Sequence, residues 1–332
     1  MTQPLPPQPE VAGSLDRAAE VISSADRVNI ACHVHPDGDA LGSALALALA
    51  LRGRAEVAVG WGSEDVAVPS LYSYLSGLDQ IVPPSSFPES RLCVALDCGS
   101  PERLGLLQAP FTSAPELINI DHHVSNTCFG TIDVVDAEAS STSELVCHLL
   151  LRLGADITPE VATCLYTGLV TDTGRFAYAS VGPRTHAMAG FLIDRGVRVD
   201  EVSQAVFESQ PFGYLKVLGH VLERARMLAD PPAVVSWVTQ ADVEAEGISF
   251  DETDELIDVL RSIREADVAA VLKELEDGRW KASLRSKGGT DVSAVAVAFG
   301  GGGHRLAAGF TSDLDLEGTI AAVHEALRSP PA

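Results

Sequence analysis

The stretch Arg27–Leu51, with the sequence RVNIACHVHPDGDALGSALALALAL, decides the fold because it joins a strand pattern to a helix pattern through a polar turn. Arg27–Cys32 is a short apolar run typical of a buried strand, and the Ala- and Leu-rich residues from about Asp39 to Arg52 predict a buried helix. A strand that leads through a turn into a covering helix is the first half of a βαβ unit. This stretch therefore predicts an α/β fold built on a parallel sheet.

The same alternation continues further along the chain. Further strand patterns occur at Glu56–Trp61, Arg91–Asp97 and Leu117–Asp121. Helical patterns occur at Thr142–Leu153, at Pro159–Leu169 and after Pro183. Apolar strands with helices between them imply a parallel sheet that is covered on both faces.

The later part of the chain has a different pattern. From about Val199 to Leu228 it is helical with little strand signal, which predicts a connector. A second α/β unit then begins at Ala233–Val238 and includes two strands joined by the Asp277-Gly278 turn. Since one core rarely serves a chain of 332 residues, we predict two domains. The predicted segments are a disordered Pro-rich N-terminus at 1–13, a parallel-sheet domain at 14–198, a helical connector at 199–228 and a smaller mixed α/β domain at 229–330.

The formal charge of −23 limits the possible partners. A protein that binds long nucleic acid neutralises many backbone phosphates with a basic stripe, and no such stripe is visible. We therefore exclude long nucleic acid and expect any nucleic-acid substrate to be short. Solubility accounts for most of the carboxylates, but it does not account for carboxylates placed directly after apolar strands.

Cysteine usage and the N-terminus bear on the compartment. The cysteines form no Cys-x-x-Cys pair, and we expect buried small hydrophobic residues rather than disulfides or zinc ligands; they are Cys32, Cys93, Cys98, Cys128, Cys147 and Cys164. The segment MTQPLPPQPE lacks the basic and apolar parts of a secretion signal. The apolar run Ala40–Leu51 is too short to span a bilayer. These features predict a cytoplasmic protein with no membrane partner.

Four polar segments carry residues that commonly bind metal ions. They are the motif at 33–39 with His33, Asp37 and Asp39, then Asp97 in ALDCG, the triplet Asp121-His122-His123, and Asp172 in TDTG. Three of the four follow predicted strands, where open parallel sheets form their sites. Asp39 is equally compatible with an N-cap of the following helix, and each of the other segments fits a cap or a turn. Their combination favours a metal site.

The residue types predict both the ion and the reaction. Hard ions such as Mn²⁺ and Mg²⁺ prefer oxygen ligands, and imidazole shifts the preference towards Mn²⁺. Two such ions about 3.5–4 Å apart can share a carboxylate and a bridging hydroxide, which attacks phosphorus in line. The ions also neutralise charge on the phosphoryl oxygens. We therefore expect a hydrolase that acts on phosphate esters.

The HxxxDxD, ALDCG, DHH and TDTG segments, in this order and at this spacing, resemble the DHH phosphoesterase superfamily. The later segments 283–286 and 300–304 resemble the DHH-associated C-terminal domain, so the similarity extends from about Arg27 to Leu327. Size and paired domains look like the bifunctional branch that acts as oligoribonuclease (nanoRNase) and pAp phosphatase. The resemblance implies a phosphodiesterase for short RNA or dinucleotides such as pApA, a 3′-phosphatase for pAp, activity on cyclic di-AMP, and a homodimer.

The family pattern, carried over residue by residue, implies two ions, Mn²⁺ or alternatively Mg²⁺. One ion would be held by His33, Asp37 and Asp97, and the other by Asp39, Asp97, His122 and Asp172, so that Asp97 bridges. His123 would face the substrate phosphate as a donor or general acid, and Asp121 would orient its neighbours. His35 is not a family ligand, and we expect it to make local packing contacts or hydrogen bonds.

The glycine run before His304 has two interpretations. It could be a flexible connector, or its backbone N–H groups could form an anion nest, with His304 or Arg285 adding charge. Since Ser283 and Arg285 lie two apart on a strand, they share a face. We favour phosphate binding, and the predicted substrate residues are Ser283, Arg285, Gly301, Gly302, Gly303 and His304. Arg103 could contact the substrate phosphate, although it also fits a surface cation.

Three other functions compete with this one. A manganese inorganic pyrophosphatase resembles the first domain but carries a different second domain, with a basic clamp in place of the GGGGH segment. A RecJ-type exonuclease is normally longer and has an added oligonucleotide-binding barrel. A non-catalytic nucleotide-sensing module would be expected to lose metal ligands, whereas every expected position is filled here.

Overall fold

The computed structural model describes residues 4–328. The chain forms two compact units, which are joined between Ser209 and Gln210. Each unit has its own sheet and its own hydrophobic core. The predicted α/β class is confirmed, with a parallel sheet in the first unit and a mixed sheet in the second.

The sheet of the first unit has five strands in the order β2-β1-β3-β4-β5, and all neighbouring pairs are parallel. The strands are β1 Arg27–Cys32, β2 Glu56–Trp61, β3 Leu92–Leu96, β4 Glu116–Asp121 and β5 Ile132–Val135. Its helices are α1 Pro9–Ser23, α2 Gly38–Leu51, α3 Gln108–Thr112, α4 Thr142–Arg152, α5 Pro159–Asp172, α6 Pro183–Ile193 and α7 Val199–Phe207. Apolar strands alternate with capped helices, as expected for a doubly covered parallel sheet.

Small residues allow helices α2, α4 and α5 to pack closely. A Cβ added at Gly42 of α2 would lie 2.4 Å from the Cys164 carbonyl oxygen, and one at Gly168 of α5 would lie 1.9 Å from the Ser143 hydroxyl. No side chain larger than a hydrogen fits at either position. The Ala-rich composition of α2 therefore serves a helix that is buried on nearly all sides.

The strand order places the site. Strand β2 pairs on one side of β1 and β3 on the other, so the chain changes direction across the sheet beside β1. In open parallel sheets the crevice at such a point, outside the carboxyl ends of the strands, is where ligands bind. The residues that follow β1, β3 and β4 thus lie at the edge of the sheet where a site is expected.

The second unit contains a six-stranded sheet in the order β10-β11-β9-β8-β7-β6, in which β7 and β8 are parallel and the other neighbours antiparallel. Its strands are β6 Arg226–Leu228, β7 Ala233–Val238, β8 Val268–Glu274, β9 Trp280–Ser286, β10 Gly302–His304 and β11 Ala307–Ser312. Its helices are α8 Phe212–Arg224, α9 Gln240–Glu246, α10 Leu256–Arg261, α11 Val292–Ala298 and α12 Leu316–Arg328.

Three features differ from the sequence expectations. Helix α1 starts at Pro9, inside the segment 1–13 that was predicted to be disordered; proline suits the first turn of a helix because its missing N–H needs no partner there. The predicted connector 199–228 contributes α7 to the first unit and α8 to the second. Strands β5, β6, β10 and β11 were not predicted, because each is short or rich in glycine and alanine.

The cysteines are all free, and five of them are buried as predicted. Cys128 is the exception, since it lies exposed in the loop after β4. No helix among residues 4–328 is long and apolar enough to cross a bilayer.

Candidate metal centre

His33 follows β1 directly and is buried. Its Nδ1 lies 2.9 Å from the carbonyl oxygen of Val34, and this hydrogen bond assigns the proton to Nδ1. Nε2 then faces two carboxylates, 3.4 Å from Oδ2 of Asp97 and 3.8 Å from Oδ2 of Asp37. A ring held by a backbone carbonyl on one nitrogen, with the other nitrogen open, is the usual arrangement of a metal-binding histidine.

Asp37 has two tasks at the start of α2. Its Oδ1 accepts hydrogen bonds from the backbone N–H groups of Asp39 and Ala40, each at 3.0 Å. Asp37 is therefore the N-cap of α2, and the alternative that Asp39 caps this helix is wrong. The cap fixes the rotamer of Asp37, so that Oδ2 is directed towards His33.

Asp39 is buried and held by the N-terminus of α4. Its Oδ2 accepts from the N–H of Thr142 at 2.6 Å, and its Oδ1 accepts from the N–H and the hydroxyl of Ser143 at 2.9 and 2.5 Å. The positive end of the helix dipole supports this charge. Burial and the charge of Asp97 nevertheless raise the pKa of the Asp39 carboxyl to about 7.

Asp97 lies at the centre of the cluster, directly after β3. It has φ 57°, a left-handed conformation that aspartate tolerates better than most residues. Its Oδ1 accepts from the Thr142 hydroxyl at 2.9 Å and lies 3.7 Å from Nε2 of His122. Because Oδ2 faces His33, the two oxygens of one buried carboxylate are directed at two different histidines.

His122 and Asp172 form the other side of the cluster. Nδ1 of His122 lies 3.3 Å from the carbonyl oxygen of Ala139, and its Nε2 lies 3.3 Å from Oδ2 of Asp172. Burial raises the pKa of the Asp172 carboxyl well above its usual range; the charge of His122 opposes this effect, and those of Asp39 and Asp97 add to it.

His123 is paired with Asp121 rather than with the ion-binding groups. Its Nδ1 lies 2.6 Å from Oδ1 of Asp121, against 3.6 Å from Oδ1 of Asp97. Burial lowers the pKa of His123, but the hydrogen bond to Asp121 and the charges of Asp97 and Asp121 together outweigh burial and raise it. Asp121 is itself fully buried, and its Oδ2 accepts from the side-chain amide of Asn126 at 2.5 Å.

The six predicted ligands fall into two triads whose donor atoms lie within 4.8 Å of one another: His33 with Asp37 and Asp97, and Asp39 with His122 and Asp172. A third group joins Asp97, His122 and His123, although its use would compete with the bond from His123 to Asp121. Carboxylate oxygens with imidazole nitrogens suit Mn²⁺. Raised pKa values on carboxyl and imidazole groups of one buried cluster indicate strongly negative potential, which divalent cations would neutralise.

This electrostatic situation predicts a pH-dependent stabilisation by Mn²⁺. Asp39 has a pKa of about 7 in the folded protein against a reference value of 3.8, so the metal-free unit loses stability as pH rises from about 4 to about 7 and Asp39 ionises in the fold. Below pH 7 an ion must first displace a proton, which weakens binding. At a hundredfold excess over Kd, binding contributes roughly 2.7 kcal/mol, or about 5–10 °C in Tm.

We expect the Mn²⁺-induced rise in Tm to be larger at pH 8 than at pH 6, measured by differential scanning fluorimetry with and without the ion. A double variant, Asp37→Asn with Asp172→Asn, serves as the control and should show little rise at either pH. An equal rise at both pH values in the wild type would contradict the proton competition.

The predicted substrate residues lie in both units. Arg103 is exposed in the 3₁₀ segment Pro101–Leu107, and its carbonyl oxygen accepts from the N–H of Val34 at 3.0 Å, so it borders the loop that carries His33. In the second unit Ser283 and Arg285 share the more exposed face of β9, as expected from their spacing. The guanidinium of Arg285 donates to the carbonyl oxygen of Leu284 at 3.1 Å.

The glycine run is neither a flexible connector nor an open loop, because Gly302–His304 forms edge strand β10, paired antiparallel with β11. A Cβ at Gly301 would lie 2.2 Å from the Gly309 carbonyl oxygen, and one at Gly303 would lie 2.5 Å from that of Ala307. These glycines are thus required by close strand contact. Phosphate binding by Gly301, Gly302 and Gly303 stays a prediction, and the side chain of His304 lies outside the described part of the chain.

Sequence reasoning missed the polar groups that hold the ligands. Thr142 and Ser143 bind Asp39 and Asp97 from the first turn of α4, and Asn126 binds Asp121. The segment 140–144, SSTSE, carries a recognisable N-cap signal, with Ser141 accepting from the N–H of Glu144. That signal marks the start of α4, but not that its free N–H groups face a carboxylate from α2.

Comparison with known proteins gives matches in both units. Residues 27–169 match the DHH family, N-terminal domain, and residues 230–329 match the DHHA1 domain. A bifunctional oligoribonuclease and PAP phosphatase from Thermus thermophilus is 33% identical over 97% of this chain and 96% of its own.

Two solved structures are also similar. An exopolyphosphatase-related protein from Bacteroides fragilis has a TM-score of 0.89 and 28% identity, with 95% of each chain covered. RecJ from Thermus thermophilus in complex with Mn²⁺ has a TM-score of 0.59 and 16% identity, covering 100% of this chain and 56% of RecJ. At that identity the RecJ match concerns the fold alone.

Proposed function

Since this chain belongs to the DHH family and carries both a DHH and a DHHA1 domain, we propose that it is a two-metal phosphoesterase for short oligoribonucleotides and for pAp. The proposal includes dinucleotides such as pApA, cyclic di-AMP, and Mn²⁺ as the ion. The Thermus relative is named as an oligoribonuclease and PAP phosphatase and matches over nearly the full length of both chains. That match supports a shared activity for the whole chain rather than for one domain.

The observation that carries the proposal is the position of Asp97 between two groups of ligand atoms. Nε2 of His33 lies 3.4 Å from its Oδ2, and Nε2 of His122 lies 3.7 Å from its Oδ1. We assign one ion to His33, Asp37 and Asp97, and a second to Asp39, His122 and Asp172, with Asp97 shared. When bound, the ions would supply Lewis acidity towards the phosphoryl group and a water of lowered pKa.

The remaining groups have supporting roles in this proposal. His123 is fixed by Asp121 and acts as a proton donor to the leaving oxygen or as a hydrogen-bond donor to the phosphate. Arg103, exposed beside the His33 loop, contributes positive charge to the substrate phosphate. Ser283, Arg285, Gly301, Gly302 and Gly303 of the second unit bind a phosphate of the substrate, and the net charge of −23 disfavours long chains.

Turnover of a defined substrate panel tests the proposal. We expect Mn²⁺-dependent hydrolysis of pApA and of pAp. EDTA should abolish it and excess Mn²⁺ should restore it, because the bound ions lower the pKa of the attacking water in this proposal. Chromatographic product analysis should give AMP from both substrates. Rates across 5′-phosphorylated oligonucleotides should fall as length increases beyond a few nucleotides.

Pyrophosphate and cyclic di-AMP complete the panel. Hydrolysis confined to pyrophosphate would replace this function with an inorganic pyrophosphatase, and absence of hydrolysis on all four substrates would favour a nucleotide-sensing module. The proposed homodimer is tested separately by light scattering after size-exclusion chromatography.

A further inference from the structure

Arg184, in the first turn of α6, makes an ion pair with two buried carboxylates in the first unit. Its Nη2 lies 2.9 Å from Oδ2 of Asp136 and 2.6 Å from Oε1 of Glu144, and its Nε donates to the same Glu144 oxygen at 2.9 Å. The side chains of Asp136 and Glu144 are only 3% and 1% exposed. A single guanidinium thus compensates two charges that have almost no access to water.

The two carboxylates stand at the ends of one short segment. Asp136 follows β5, and its N–H donates to the carbonyl oxygen of Asp121 at 3.2 Å. Glu144 lies in the first turn of α4, and its Oε2 accepts from the N–H and the hydroxyl of Ser140 at 3.2 and 3.0 Å. Arg184 therefore ties both ends of the segment 136–144 to helix α6.

This segment holds three of the proposed metal ligands. The carbonyl oxygen of Ala139 lies 3.3 Å from Nδ1 of His122, which sets the direction of that ring. The backbone N–H groups of Thr142 and Ser143 bind Asp39, and the hydroxyl of Thr142 binds Asp97. None of these contacts involves Arg184 directly, so its influence must pass through the position of the segment.

We propose that Arg184 is a positioning residue that holds segment 136–144 so that His122, Asp39 and Asp97 keep ion-binding geometry. This inference rests on the proposed function, because it assumes that these residues bind ions. The geometry requires arginine, since its planar fork meets both carboxylates at once, whereas a lysine ammonium provides the charge without the fork. Without Arg184 the two buried carboxylates would repel each other and the neighbouring ligands.

Isothermal titration with Mn²⁺ compares the wild type with Arg184→Met. We expect wild-type binding in two phases, and in the variant a loss of about 10- to 100-fold in affinity, the usual effect of removing a group that orients a ligand. The loss should be concentrated in the phase assigned to Asp39, His122 and Asp172. On pApA the variant should lose kcat more than it raises KM at saturating Mn²⁺.

Arg152→Met is the control. Arg152 lies at the C-terminal end of α4, the helix whose first turn carries Glu144, and it pairs with Asp16 at 2.8 Å. Its side chain is 24% exposed, against 20% for Arg184. Removing it deletes an ion pair with a carboxylate that is 65% exposed, without touching segment 136–144, so Mn²⁺ affinity and kcat should match the wild type. Tm is measured for both variants, so that a loss of Mn²⁺ affinity caused by lower stability can be distinguished from one caused by displaced ligands.

Arg184→Lys covers the case in which Arg184→Met does not fold. Compared with Arg184→Met, it should restore most of the lost Tm. Its Mn²⁺ affinity should stay at least about tenfold below that of the wild type, because lysine restores the charge without the planar fork. Wild-type affinity in a folded Arg184 variant would overturn the inference and leave the proposed function standing. A wild-type chain that binds no Mn²⁺ would overturn both.

Discussion

An Asp97→Asn variant should lose at least about three orders of magnitude in kcat on pApA while remaining folded, since it removes the one charge shared by both proposed ions. Asparagine keeps the size of the side chain and tolerates the φ of 57° at this position. Its amide oxygen still accepts from the Thr142 hydroxyl, which lies 2.9 Å from Oδ1. The change is therefore confined to charge and to the ability of both oxygens to bind an ion.

The same substitution acts on the stability of the metal-free protein in two opposite ways. Asp97 raises the pKa of both Asp39 and Asp172 through its charge, so it repels two buried carboxylates. It also raises the pKa of His33 and His122, so it attracts two buried imidazoles. Because neutralising Asp97 removes both effects, Tm in EDTA should stay close to the wild-type value.

Asp133→Asn serves as the control for this pair of measurements. Asp133 lies on strand β5, and its Oδ1 accepts from the N–H of Gly130 at 2.9 Å, but it belongs to neither ligand triad. It should retain wild-type kcat. An Asp97→Asn variant with full activity would eliminate the bridging assignment, and one with reduced Tm in EDTA would show that Asp97 has a net structural role.

The position of the site can be predicted from the sequence because the ends of the apolar strands can be recognised in it. Asp97 and the Asp121–His123 triplet come at the end of apolar runs, and in a parallel sheet all such ends lie on one edge. Their proximity is then a consequence of topology. Asp172 lies at the end of helix α5, outside this argument, and its place in the cluster rests on the resemblance and on the packing of α5 against α2.

The orientation of the ligand side chains could not be predicted from the sequence in the same way. Sequence spacing alone does not distinguish Asp37 from Asp39, yet Asp37 caps α2 and Asp39 is bound by the N-terminus of α4. That distinction depends on which helix end meets which carboxylate, a tertiary relation between residues about a hundred positions apart. Gly301 and Gly303 illustrate the same limit, since two glycines of a run that suggests an open loop are required by close contact with strand β11.

The hydrogen bond between His123 and Asp121 leads to the second large effect. We expect His123→Gln to lower kcat on pApA by about 10²- to 10⁴-fold, the range for loss of general acid catalysis. Mn²⁺ affinity should stay near the wild-type value, because the nitrogen of His123 nearest Asp97 is the one bound to Asp121 at 2.6 Å. If His123 instead completes the third ligand group, with Asp97 and His122, titration would show weaker Mn²⁺ binding in this variant.

Acid catalysis and phosphate binding by His123 can be distinguished by changing the leaving group of the substrate. Nitrophenolate departs without a proton, so an acid has little to contribute to hydrolysis of bis(p-nitrophenyl) phosphate, whereas the ribose oxygen of pApA needs one. The His123→Gln variant should therefore lose less than about tenfold on the nitrophenyl ester if His123 is an acid, and equally on both substrates if it only binds the phosphate. His35→Asn, at an exposed position of the first motif with φ 55°, is the matched histidine control and should retain activity on both.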